Sequence, residues 1–222
     1  TLFRSVDLFC HGCPSMHLWT RYLQSVKENL NVTKFDKIEF RSKIHGWHEF
    51  SHYFIKGDIN YRSKKVNDPF FTFFFDNSVL CESCYNCKTR STLEYTDIRL
   101  GDFWGNEYAL NREGVSAVVV VSEKGRDIFD KIKNKFIIKE HTLDEVNKSQ
   151  SYGKEYHYNE KLRRRSLELL KTNNDMGSIV KEYKRYYTLK KRIKSYVKRA
   201  TYILPTSIRY RIKRSVYRMS GK

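Results

Sequence analysis

LFRSVDLFCHGCPSMHLWTRYLQSVKENL, residues 2–30, decides the fold class. The apolar run ending at Cys10 reads as a buried strand, closed by the turn residues Gly12 and Pro14. Ser15 then caps a helix in which Leu18, Tyr22 and Val26 recur at helical spacing. A strand, a turn and a helix in that order open an α/β fold, predicted as a mixed sheet with flanking helices. Outward from it, KIEFRS (37–42) and HEFSHYFIKGDINYR (48–62) read as strands, the second turning at Gly57-Asp58. PFFTFFFDN (69–77) is a buried helix or strand, and TDIRLGDFWG (96–105) is a strand ending in a glycine turn. AVVVVS (117–122) carries the strongest buried-strand signal in the chain. EKGRDIFDKIKNKF (123–136) follows as an amphipathic helix with Ile128, Ile132 and Phe136 on one face, and FIIKEHTLDEV (136–146) as a further strand and turn. Beyond about residue 150 the pattern turns polar and helical, so the expected division is a 1–150 domain and a 151–222 basic helical extension.

The chain has 222 residues and a net charge of +18, unevenly spread. Residues 181–222 hold 15 Lys and Arg against one acid, Glu182, whereas residues 1–180 hold 28 against 24. A whole-protein nucleic-acid reading loses its support there, because the basicity belongs to the tail. No stretch approaches the roughly 18 apolar residues of a membrane span, and no signal peptide is visible. The first residue, Thr1, and the immediate apolar run point to a fragment. Five cysteines, an odd number at CxxC-type spacing, favour a reducing compartment over a secreted disulfide scaffold, hence a cytoplasmic location.

Three of those cysteines crowd into CESCYNCK, residues 81–88, as Cys81, Cys84 and Cys87. Thiolates bind soft or borderline ions, and a two-residue gap lets successive sulfurs face one centre. Cys10 and Cys13 with Cys84 and Cys87 would complete tetrahedral zinc. Cys81, Cys84 and Cys87 with Cys10 would equally supply an iron–sulfur cluster. Spacing leaves both open, along with unligated thiols.

DLFCHGCPS (7–15), SCYNCK (83–88), TDIRLGDFWG (96–105) and GVSAVVVVSEKGRDIF (114–129), in that order, resemble the C-terminal domain of the coenzyme F420 hydrogenase/dehydrogenase beta-subunit family. The likeness covers about residues 1–150 and stops short of the basic tail. It implies an oxidoreductase that passes electrons between FAD, a [4Fe–4S] cluster and a partner such as the deazaflavin coenzyme F420 or a ferredoxin-like domain. Similar bacterial proteins stand in polysaccharide-biosynthesis settings. Matched position by position, Cys10, Cys84 and Cys87 fall on the family's cysteines, while Cys13 replaces an apolar residue and Cys81 an arginine. The resemblance therefore implies cluster ligation by Cys10, Cys84 and Cys87, the fourth ligand being Cys81, Cys13 or a residue outside this sequence. The rival reading is a zinc-stabilised binding module without catalysis.

At the implied flavin, Gly101 and Gly105 would admit a close backbone approach, Asp102 would accept hydrogen bonds, and Trp104 would stack on the ring. A turn with Trp104 in the core explains the same residues, and Asp97 reads as structural. His11 and Gly12 follow a strand at the edge where α/β folds bind ligands, so His11 is the candidate proton donor, with a plain turn histidine as the alternative. Arg41 and Lys43, in KIEFRSKIHGW, resemble a basic family stretch suited to a phosphate. His48 and His52 would share a strand face, but no carboxylate in matching register accompanies them.

In the tail, Leu189, Ile193, Tyr196, Val197 and Ala200 fall on one helical face among lysines, Pro205 interrupts, and Ile208, Ile212, Val216 and Met219 restart the pattern. That composition suits an anionic membrane surface, with nucleic acid, an acidic subunit and disorder as rivals. A peripheral position at the inner face of a membrane follows from the first of these.

Overall fold

The computed structural model describes residues 4–172, 174–205, 207–209, 211, 212 and 215. In chain order the strands are β1 (Val6–Leu8), β2 (Lys37–Ser42), β3 (Ser51–Lys56), β4 (Ile59–Lys64), β5 (Ile98–Asp102) and β6 (Ser116–Val120). The α-helices are α1 (Met16–Leu30), α2 (Pro69–Phe75), α3 (Glu123–Ile132), α4 (Leu143–Ser149), α5 (Glu160–Lys171), α6 (Met176–Arg185) and α7 (Leu189–Thr201). Mixed and antiparallel sheets with flanking helices make this an α/β protein.

The chain forms two compact units. One gathers residues 4–11 and 86–155, the other 12–85 and the described residues of 156–213. The described residues of 156–213, most of the helical extension, group with the residues after His11.

In the first unit the sheet order is β1-β5-β6, with β1 parallel and β6 antiparallel to β5. Asp97 ties it together: its carboxylate accepts from the Ser5 amide at 2.7 Å and from the Ser122 hydroxyl at 2.5 Å. Ser122 in turn caps α3, and a Cβ on Gly125 would lie 2.2 Å from the Asp97 carbonyl oxygen. Only glycine lets the helix come so close, which accounts for the EKGRD stretch. The structural reading of Asp97 stands.

Three readings of this unit are corrected. The opening strand is not buried, since Val6 and Leu8 are exposed on the sheet edge. Among the described residues AVVVVS pairs only with β5, and of its residues in β6 only Ala117 is buried. A continuous apolar run cannot tell a strand covered on both faces from a one-sided strand at a sheet edge. Residues 136–142 form no strand; Thr142 instead makes a capping box with Glu145 and starts α4.

The second unit builds on the antiparallel sheet β2-β3-β4, with the hairpin turning at Gly57-Asp58 as read. Ser15 caps α1, and Leu18, Tyr22 and Val26 are its buried stripe. PFFTFFF resolves as a helix because Asp68 caps it, accepting from the Phe71 amide, and Pro69 occupies the first turn where no N–H is needed. Phe70, Phe71 and Phe73 go into the core with Trp47, Phe50 and Phe54. The C-terminal helices complete this core: Leu169, Leu170, Met176, Ile179 and Tyr183 are buried, and the Arg21 guanidinium donates to the Thr172 carbonyl.

Candidate functional site

The densest gathering of chemistry-bearing residues in the second unit lies where Pro14 bridges antiparallel to Leu80. Gly12 prepares it: with φ +144° and a would-be Cβ 2.8 Å from the Leu80 Cδ1, the position tolerates only glycine. The Ser15 amide donates to the Val79 carbonyl at 2.8 Å and the Cys81 amide to the Cys13 carbonyl at 2.7 Å. Cys13 and Cys81 are therefore cross-strand neighbours. The Cys13 amide, instead of donating to residue 81, donates to the Cys84 sulfur at 3.2 Å. A short 3-10 turn, Glu82–Cys84, brings that sulfur back. The Cys13 and Cys81 sulfurs each lie 3.7 Å from the Pro14 carbonyl oxygen.

The loop is braced from two sides. The Tyr85 hydroxyl accepts from the Leu80 amide and donates to the Asn77 carbonyl at 2.7 Å. Arg163, on α5, donates to the Leu80 carbonyl at 3.0 Å and lies against the rings of Tyr85 and Tyr158. Burial raises the Tyr85 phenol, so it stays a neutral donor at physiological pH.

Of the expected ligands, Cys81 and Cys84 are thus together, and Cys13, set apart in sequence by its departure from the family pattern, joins them. Cys10 and Cys87 belong to the first unit. Cys10 is exposed after β1, and Cys87 contacts the Thr89 hydroxyl at 3.3 Å, which holds its thiol below the usual range. Among the described residues no three His, Cys, Asp or Glu side chains converge as a metal group. Cys13, Cys81 and Cys84 share this corner through backbone pairing and sulfur–backbone contacts, and thiol sulfur is the donor type that soft metals take.

In the first unit the parallel pairing of β1 with β5 puts their carboxyl ends at one sheet edge. Residues 9–11, with His11 half-buried, follow β1 there, and Asp102 closes β5 ahead of residues 103–105. Within GDFWG it is Phe103 that enters the core, at 3 % exposure with Ala117 and Val146, and Trp104 stays half-buried. A core role for Trp104 is thus corrected: the strand's last alternation puts residue 103 inward. The space beside both glycines is taken by the protein's own side chains. A Cβ on Gly101 would meet Phe9 at 3.0 Å, and one on Gly105 would meet the Phe103 ring at 3.4 Å. The Asp102 carbonyl accepts from the Gln150 side chain.

Arg41 and Lys43 lie in the second unit. Arg41 occupies the irregularity of β2 with φ +56°, its guanidinium 4.6 Å from the Phe50 ring centre, and Lys43 is exposed.

A second polar group was missed altogether. Tyr22, His52 and Asp68 are fully buried, and the Asp68 carboxylate takes the Tyr22 hydroxyl at 2.7 Å and the His52 Nδ1 at 2.9 Å. No carboxylate stands in strand register with His52, as read, but one reaches it from the cap of α2, 16 residues on. His52 stacks on Phe71 with ring centres 4.3 Å apart. With every member enclosed by aromatic rings, this group serves the core.

No curated protein and no solved structure matches the chain. One family does, over residues 4–146, a span that holds all five cysteines, the glycine turn and the Gly125 helix described above. The chain belongs to the family described as the C terminus of the coenzyme F420 hydrogenase/dehydrogenase beta subunit.

Proposed function

We propose that this chain is part of a flavin- and iron–sulfur-dependent electron-transfer protein that works with a redox partner. Membership of a hydrogenase/dehydrogenase beta-subunit family supports oxidoreductase chemistry and a multisubunit setting. The observation that carries the finer reading is the thiol corner at Pro14–Leu80, where three cysteines and an amide donor meet on a braced loop.

When bound, FAD supplies hydride chemistry and a [4Fe–4S] cluster single-electron steps. The protein's part is holding and positioning. Cys81 and Cys84, with Cys13 beside them, offer the thiolates of the second unit; Cys10 and Cys87, carried by the family motifs, offer those of the first. The Cys13 amide donates to the Cys84 sulfur and so fixes where that sulfur points. Arg163 and Tyr85 hold the loop by their hydrogen bonds to the Leu80 backbone. In the first unit His11 would hold or give a proton at the carboxyl edge of β1, where Asp102 and Trp104 also emerge. Arg41 and Lys43 are the candidate phosphate contacts, and Gly12, Gly101 and Gly105 shape the turns. The natural acceptor would be F420 or another deazaflavin or ferredoxin-type carrier, in polysaccharide biosynthesis or elsewhere.

The test is anaerobic purification with a visible spectrum and iron, sulfide, zinc and flavin analysis, followed by single Cys→Ser variants of all five positions. Iron with acid-labile sulfide and flavin, lost on replacing Cys84, is the expected result. Zinc alone without flavin would overturn the reading in favour of a metal-stabilised binding module.

A further inference from the structure

Helix α7 is amphipathic in the wrong sense for a helix of a soluble core. At about 100° per residue, Leu189, Ile193, Tyr196, Val197 and Ala200 share an arc of about 100°. In an ordinary surface helix that stripe faces the core. Here no residue of α7 is buried, and Leu189 is 74 % exposed, Ile193 54 %, Tyr196 71 % and Val197 57 %. The helix is held instead by its opposite side. Lys191, diametrically across from the stripe, pairs with Asp76 at 2.8 Å and lies over the Tyr187 ring. Asp76 is itself fixed by the hydroxyls of Tyr183 and Tyr187. The anchoring is polar, and the apolar stripe is turned outward.

The flanks of that stripe are cationic. Lys190 and Lys194 border it on one side, Arg192 and Arg199 on the other. No acid occurs anywhere in residues 183–222. Just past the helix, Ile203 and Leu204 are also exposed, as are Ile208 and Ile212 in the part that follows Pro205; Val216 and Met219 lie outside the described residues.

We propose that α7 docks on an anionic lipid surface, with its Leu–Ile–Tyr–Val stripe at the headgroup boundary and its flanking cations beside lipid phosphates. This surface rewards both features at once, since apolar side chains enter the acyl boundary while each nearby cation finds an anion. A second copy of the same face is disfavoured because two acid-free cationic surfaces repel. Nucleic acid rewards the cations but not the aliphatic stripe, which offers Tyr196 as its one ring for stacking. The contact is peripheral, as no described helix is long and apolar enough to cross a membrane. This reading is independent of the redox proposal.

The test is co-sedimentation of the full chain with phosphatidylcholine vesicles, with and without phosphatidylserine. Binding is expected only with the anionic lipid and should weaken steeply with salt. The double variant Ile193→Glu with Val197→Glu should lose binding by at least about tenfold, with unchanged circular dichroism and thermal transition because both sites are exposed. Replacing Lys190 and Lys194 by Gln should weaken binding less and flatten its salt dependence. Failure to pellet with anionic vesicles would overturn the proposal. So would binding of an oligonucleotide that competes with vesicles and survives the Ile193→Glu, Val197→Glu change.

Discussion

The two units bury their residues in contrasting ways. In the second, rings interlock: Phe70 lies within 6 Å of the ring centres of Trp19, Tyr22, Phe40, His52 and Phe71, and its own exposure is 2 %. The first has a small core of Phe103, Ala117 and Val146, while Ile132, Phe136, Ile137 and Ile138 remain in solvent. The second unit is thus stabilised by burial, the first mainly by backbone pairing and by polar ties such as Asp97. The aromatic residues concentrate in the second unit, where helices from both ends of its sequence and a sheet close over them.

Breaking the aromatic core should have the largest effect. Phe70→Ala is expected to cost about 3–5 kcal/mol, against about 0.5 kcal/mol or less for Phe136→Ala in the first unit. Urea unfolding followed by circular dichroism and by tryptophan fluorescence measures both; equal costs would erase the contrast.

Next comes the buried polar group. Asp68→Ala removes the α2 cap and the acceptor shared by the Tyr22 hydroxyl and His52, a loss of about 3 kcal/mol. Burial first, and the Asp68 carboxylate second, push the Tyr22 phenol far up. A folded value above the unfolded 10.0 means this contribution is whole below pH 10.0 and declines above it, as the unfolded phenol ionises first. Tyr22→Phe should flatten the alkaline limb of a stability–pH curve.

The smallest effect sharpens the contrast at the opposite end of the pH scale. The Ser122 hydroxyl, then the Ser5 amide, hold the Asp97 carboxyl below its usual 3.8. Its tie is present above that value and is lost as pH falls through the depressed folded value. Ser122→Ala should move the Asp97 titration upward in a carboxyl-selective NMR experiment, and amide exchange in β1 and β5 should quicken at acid pH before that in β3.

Local signals in the chain were legible wherever one segment satisfies itself. Ser15 and the Leu18, Tyr22, Val26 stripe announced α1, and Gly57-Asp58 announced the hairpin. The candidate site was half legible: the sequence named Cys13, Cys81 and Cys84 among its candidates, but which of the five cysteines lie together rests on the 13-to-81 pairing, a contact between residues far apart in sequence. Arg163 carried no signal, since a cation in a basic helix looks like solvent-facing surface until its partner carbonyl is known. FIIKE misled because β-branched residues favour strands only when a neighbouring strand is available to pair with them.

By itself the sequence determined the α/β class, the start of α1, the family and the presence of a basic amphipathic tail without acids beyond Glu182. These follow from periodicity, caps and ordered motifs, each a property of neighbouring residues. Tertiary structure alone decided that Asp68 completes His52, that Phe103 and not Trp104 is core, and that α7 turns its apolar stripe outward. Those outcomes depend on which surfaces meet, and burial free energy belongs to the meeting of two surfaces, not to either segment that supplies one.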